Sequence, residues 1–155
     1  MLISTLRLGA VILGTAAIAW AADPVVGTWK LNVSKSKFSP GPAPKEETRV
    51  YEAYPKGIKV TVRTIQADGQ AFTVLITANY DGKEYEVVGS PDYDAIELKK
   101  ISEFVSEATL LHGQVVIAVA RREVSPDNKW MTITYKTPQD QANPINNQAV
   151  YDREE

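Results

Sequence analysis

The stretch Asp23-Pro-Val-Val-Gly-Thr-Trp-Lys-Leu-Asn32 decides the fold, because it opens a chain that afterwards reads as one hairpin after another. Trp29 is a large aromatic on a short apolar strand, and Gly27 two residues earlier leaves space for another backbone to pass close by. On the first strand of an antiparallel barrel the ring closes the floor while the glycine admits a neighbour. The motif speaks to architecture and names no reaction.

Upstream of it, Arg7 gives a thin positive start, residues 8–18 form an apolar run, and Ala19-Trp20-Ala21 places small residues where a signal peptidase reads them. The expectation is a signal peptide over 1–21 and one domain over 22–155. The run is too short, and too abruptly followed by Asp23-Pro24, to serve as a membrane span. The chain has no cysteine, so neither a lipid-attachment site nor a disulfide is available. The implied location is the periplasm or the medium, with no stable membrane anchor after cleavage. Of the 17 Lys/Arg all but Arg7 remain in the domain, against 19 Asp/Glu, a balance near −3. Mixed signs without a basic run argue against nucleic acid or an anionic membrane as partner, and Thr-rich outward faces fit a monomer.

Downstream, turn signals arrive every eight to fourteen residues with period-two alternation between them, which predicts an all-β fold. Residues 25–33 read as the first strand. Ser39-Pro-Gly-Pro-Ala-Pro44 is a stiff connection that cannot sit inside a sheet. Residues 46–54 and 58–65 form a hairpin around Pro55-Lys-Gly57, with Ile58, Val60 and Val62 sharing one face. Residues 72–80 are the most strongly alternating strand, and Asp81-Gly82 is a two-residue hairpin turn leading into 84–88. Further strands follow at 95–101, 103–111, 114–124, 130–137 and 149–153. Their sequential order, with short turns and no crossover helix, favours an antiparallel up-and-down meander of about 8–10 strands closed into a β-barrel, since closure removes exposed edges.

At this point the residues resemble the lipocalin-like (calycin) barrels, in Gly27-Thr28-Trp29 on the first strand, the meander of hairpins, and Arg153 near the end of the last strand. The chain is also similar to small secreted bacterial lipocalin-like domains, in its Gly-Thr-Trp-Lys-Leu-Asn start, its Pro-Gly-Pro-Ala-Pro segment and its Ser125-Pro-Asp turn. The resemblance implies that Arg153 packs over Trp29 as a cation–π seal at one end of the barrel. It stops short of the larger lipocalins, whose long helix and disulfide are missing. It also stops short of fatty-acid-binding proteins: residues 34–45 are too short and proline-rich for a helical lid. Their Arg-x-Tyr order is here Tyr151-Asp152-Arg153, so no fatty-acid head-group site carries over.

Catalytic chemistry is thin in this sequence. The one histidine, His112, sits beside Gly113 and reads as a turn residue, and without cysteine no His/Cys metal cluster can form. Asp92-Tyr93-Asp94 with Glu97 matches no complete calcium loop, and Glu46-Glu47 reads as a solvated strand start. Neither a metal nor a cofactor is implied. Tyrosines are the more informative group: Tyr51, Tyr54, Tyr80, Tyr85, Tyr135 and Tyr151 all fall on expected strands. An inward tyrosine offers an apolar wall with a hydroxyl that orients a ligand, and Arg49, Arg63 or Arg121 could supply an internal charge. Alternation alone does not settle which of them face inward.

Three function classes follow. The leading one is an exported binder of a small apolar or amphipathic ligand, its cup lined by Tyr80, Arg121, Tyr135 and Tyr151, with Gly27, Trp29 and Arg153 as the structural floor. The second is a protein-binding module such as a periplasmic protease inhibitor. The third is a lipid isomerase or cyclase, which would require a buried carboxylate or paired tyrosines inside the cup.

Overall fold

The computed structural model describes residues 22–138, 140, 142 and 144–155; the expected signal peptide over 1–21 lies outside the described residues. Ten antiparallel strands follow in chain order: β1 (Gly27–Leu31), β2 (Glu46–Tyr54), β3 (Gly57–Ile65), β4 (Ala71–Asn79), β5 (Asp81–Val88), β6 (Ala95–Lys100), β7 (Val105–His112), β8 (Val115–Val124), β9 (Trp130–Lys136) and β10 (Asn146–Arg153). Each pairs with its neighbour in sequence, and β1 pairs with both β2 and β10, so the meander closes into a barrel. A single 3-10 turn, Val33–Lys35, is the one helical element among the described residues.

Alternation decides what lies inside. On β3 Ile58, Val60, Val62 and Thr64 are buried, and on β4 Val74, Ile76 and Ala78 are, while the residues between them face solvent. One end of the barrel is sealed by the first and last strands. Trp29 is fully buried, and its indole N–H donates to the Val25 carbonyl at 2.8 Å. The Arg153 guanidinium lies 4.3 Å from the indole centroid and donates to three backbone carbonyls, those of Val26, Pro24 and Asn128, at 2.9, 2.6 and 2.7 Å. Gly27 makes this possible: its φ is +138°, and a Cβ there would collide with Arg153 Nη1. The group that needs the space is thus a guanidinium rather than a second backbone.

The β4–β5 connection departs from the expected tight hairpin. The observed pairs, Leu75 with Val88 and Ile76 with Val87, have the register of a hairpin centred on Asp81-Gly82, but pairing stops after those two. Asp81 and Gly82 instead belong to β5, where an irregularity between Asp81 and Glu84 against β6 is accommodated by Gly82 at φ +71°. The two residues therefore do not form the expected two-residue turn, and the β4–β5 ladder opens because β5 follows β6 rather than β4 over this length.

The seal carries a measurable share of stability. Trp29→Ala should cost about 3–5 kcal/mol in urea-induced unfolding, the usual range for a large buried aromatic. An unchanged unfolding midpoint would show that the floor does not depend on the ring.

Candidate ligand-binding site

The floor closes one end of the barrel, and a cavity of about 690 Å³ opens at the other. Its wall is mostly apolar, with Val62, Phe72, Val74, Leu110, Ile117 and Ala118 contributing. The rim is built from loops, including Pro42 and Pro44 of the proline-rich connection. That connection is fixed beside β10: the Ser39 N–H donates to Asn147 Oδ1 at 2.9 Å, and the Asn146 N–H donates to the Ser39 carbonyl at 3.0 Å. A segment that cannot join a sheet thereby becomes part of the mouth.

One wall carries a polar cluster drawn from four strands. Arg49 on β2 donates from Nε to Glu47 Oε1 at 2.7 Å and to the Tyr151 hydroxyl at 3.1 Å, and from Nη2 to the Tyr135 hydroxyl at 2.9 Å. Glu47 also accepts from the Tyr151 hydroxyl at 2.7 Å and from Thr64 Oγ1 at 3.0 Å. The guanidinium stacks 5.3 Å from the Tyr151 ring centroid. Both charged side chains are withdrawn from solvent, 12% exposed for Glu47 and 13% for Arg49.

The protonation equilibria follow from that geometry. Burial raises the Glu47 pKa, but the Arg49 charge and the hydrogen bonds from Tyr151, Arg49 and Thr64 outweigh it and hold the carboxyl below its ordinary value. Burial pushes the Tyr135 and Tyr151 hydroxyls up, against the opposing pull of Arg49. Tyr93, from the β5–β6 loop, also lines the cavity and is likewise raised by burial. The cluster is therefore a fixed ion pair, Glu47 ionised and its tyrosines protonated.

A second polar cluster lies nearer the floor. Tyr80, just beyond β4, donates its hydroxyl proton to Asp23 Oδ2 at 2.8 Å and accepts from Arg122 Nη2 at 2.8 Å. Lys100 Nζ meets Asp23 Oδ1 at 2.9 Å, and the Arg122 guanidinium sits 5.0 Å from the Tyr51 ring centroid. Burial raises Tyr80 to about 12, with the Arg122 charge opposing it.

The expected lining residues thus separate. Tyr135 and Tyr151 line the cavity together. Tyr80 belongs to the floor cluster instead. Arg121 points outward, its side chain 47% exposed and Nε 3.2 Å from Glu123 Oε1; the inward arginine of β8 is its neighbour Arg122. Gly27, Trp29 and Arg153 meet as the floor seal. His112 ends β7 with its side chain 63% exposed and Nδ1 3.9 Å from Asp94 Oδ2. Asp94 accepts from the Gly113 N–H at 3.0 Å, and no group of three or more potential metal ligands occurs among the described residues.

Glu47 is the residue that sequence reasoning missed. Next to Glu46 it looks solvated, yet the β2–β3 register sets it opposite buried Thr64, and Arg49 opposite buried Val62. Directly opposed residues share a face, so both are inward. No protein-family model matches the chain, and no curated protein matches it. The cavity's chemistry therefore rests on its own residues.

Glu47 makes a specific pH prediction. Its folded pKa lies below the ordinary 4.5, so its contribution to stability is complete above 4.5 and is lost as pH falls from there through the folded value. In Glu47→Gln the plot of unfolding free energy against pH should be shallower on that acid limb, by at most about 1.4 kcal/mol per pH unit. Urea titrations from neutral pH downward check this, and superimposable slopes would mean Glu47 is not held ionised. Asp23, lowered by its bonds from Lys100, Tyr80 and the Val25 N–H despite burial, leaves a residual slope of the same sign.

Proposed function

We propose that the chain is an exported, lipocalin-like protein that binds a small apolar or amphipathic molecule in its cup, acting as a monomer. The observation that carries this is the cavity of about 690 Å³, apolar over most of its wall, with one organised polar cluster. That size and that composition are those of small-molecule pockets, in which apolar area supplies affinity and a few fixed polar groups supply orientation. The cluster costs nothing further to organise when a ligand arrives, since its side chains are already locked by one another.

Two rival readings lose ground on specific observations. An isomerase or cyclase has the buried carboxylate and paired tyrosines it would need, in Glu47, Tyr135 and Tyr151. Acid–base work near neutral pH, however, favours groups that titrate near it, and here the carboxyl moves down while the hydroxyls move up. A protease inhibitor of the expected kind needs a free extended N-terminal segment. Asp23 is instead tied to Lys100 and Tyr80, and the Pro24 carbonyl to Arg153.

Titration with the uncharged apolar fluorophore N-phenyl-1-naphthylamine should give a saturable fluorescence gain. Ala118→Phe, which fills the wall at a buried lining position, should weaken that binding by about tenfold or more while the circular dichroism spectrum is kept. Equal binding by the variant would place the fluorophore outside the cup. Native mass spectrometry of the protein from its exported fraction, beside a denatured control, would identify the chemistry of any co-purifying molecule.

A further inference from the structure

We infer that the cup selects a ligand whose polar group is an uncharged acceptor, such as an amide, ester or ketone carbonyl, and discriminates against a carboxylate. The inference rests on the binding reading above and sharpens it to a ligand class. An interior arginine beside tyrosine hydroxyls would ordinarily suggest an anion site. Here the anion's place is already filled by the protein: Glu47 takes the Nε edge of Arg49 at 2.7 Å and is itself satisfied by Tyr151 and Thr64.

What the cluster leaves open is donor capacity. A guanidinium has five N–H groups; Nε and one position on Nη2 are used, and among the described residues Nη1 donates to nothing. An acceptor oxygen on the ligand can take those bonds without displacing Glu47. A carboxylate must either displace it or sit beside a second negative charge in a site withdrawn from water, where like charges repel strongly.

The other lining carboxylates, Asp68 and Asp92, are exposed on the loops of the mouth, where solvent and salt screen them, and Arg49 is the one lining Lys or Arg among the described residues. The interior's other guanidinium, Arg122, does not line the cavity; it lies against the Tyr51 ring and donates to Tyr80. A cationic head group is disfavoured by Arg49 itself, which occupies the polar wall with its free donors.

The test is displacement of N-phenyl-1-naphthylamine near neutral pH by three ligands that share a twelve-carbon tail: dodecanamide, dodecanoate and dodecylammonium. Dodecanamide should displace the fluorophore at concentrations at least about tenfold below either charged analogue. In Glu47→Gln, with folding checked by circular dichroism, dodecanoate should gain about tenfold or more relative to dodecanamide measured on the same variant. Wild-type displacement by dodecanoate or dodecylammonium at or below the dodecanamide concentration would overturn the inference whether or not the variant folds. Equal displacement by all three would leave the cup as a binding site and remove its head-group preference. No fluorophore binding at all would remove the cup reading, and this inference with it.

Discussion

The contact between Arg153 and Trp29 holds the first and last strands together, and the rest of the structure depends on it. β1 is only five residues long, yet it is the strand through which β2 and β10 are joined. A ladder that short contributes few hydrogen bonds. The planar guanidinium adds a stack on the indole and three bonds to carbonyls that have no strand partner. Without closure there is no inside, and residues that now face a cavity would face water.

Closure has an electrostatic consequence. Burying a charge is costly unless it is paired and hydrogen-bonded, and the interior holds both Glu47 and Arg49. The pair persists because the remaining lone pairs and protons of Glu47 are taken up by Thr64 and Tyr151, and Nη2 of Arg49 by Tyr135. Replacing the cluster by apolar side chains could fill the same wall without any desolvation cost, so stability alone does not require the polar arrangement. Its pKa shifts drive each group further into the protonation state it already holds at neutral pH.

Much of this cluster was within reach of the sequence, and the reason it was missed is local. β3 alternates cleanly, but β2 does not: Glu47, Arg49 and Tyr51 on one face look no more apolar than Thr48, Val50 and Glu52 on the other. The tight connection at Pro55-Lys56, with Tyr54 opposite Gly57, transfers the phase of β3 to β2 by counting back from the turn. Arg121 and Arg122 offered no such handle. β8 starts at a two-residue turn, Gly113-Gln114 between the paired His112 and Val115, but a register irregularity between Leu110 and Leu111 shifts its phase before the arginines are reached, and the alanines at 118 and 120 on the inward face give a weak apolar signal.

The sequence by itself determined the all-β class, the succession of strands and the placing of Gly27 and Trp29 on the first strand, because period-two alternation, turn chemistry and the Gly-x-Trp motif act over a few neighbouring residues, whereas Arg153 as their partner was implied only by the resemblance to lipocalin-like barrels. It also placed Tyr135 and Tyr151 on strands capable of lining a cup. Only the tertiary structure decided that Arg122 rather than Arg121 turns inward, that Glu47 and Arg49 meet Tyr135 and Tyr151, and that Tyr80 belongs to the floor. Those are properties of register and closure: Glu47 meets Tyr151 across 104 positions of chain, and no local pattern encodes a contact that exists only after the last strand has joined the first.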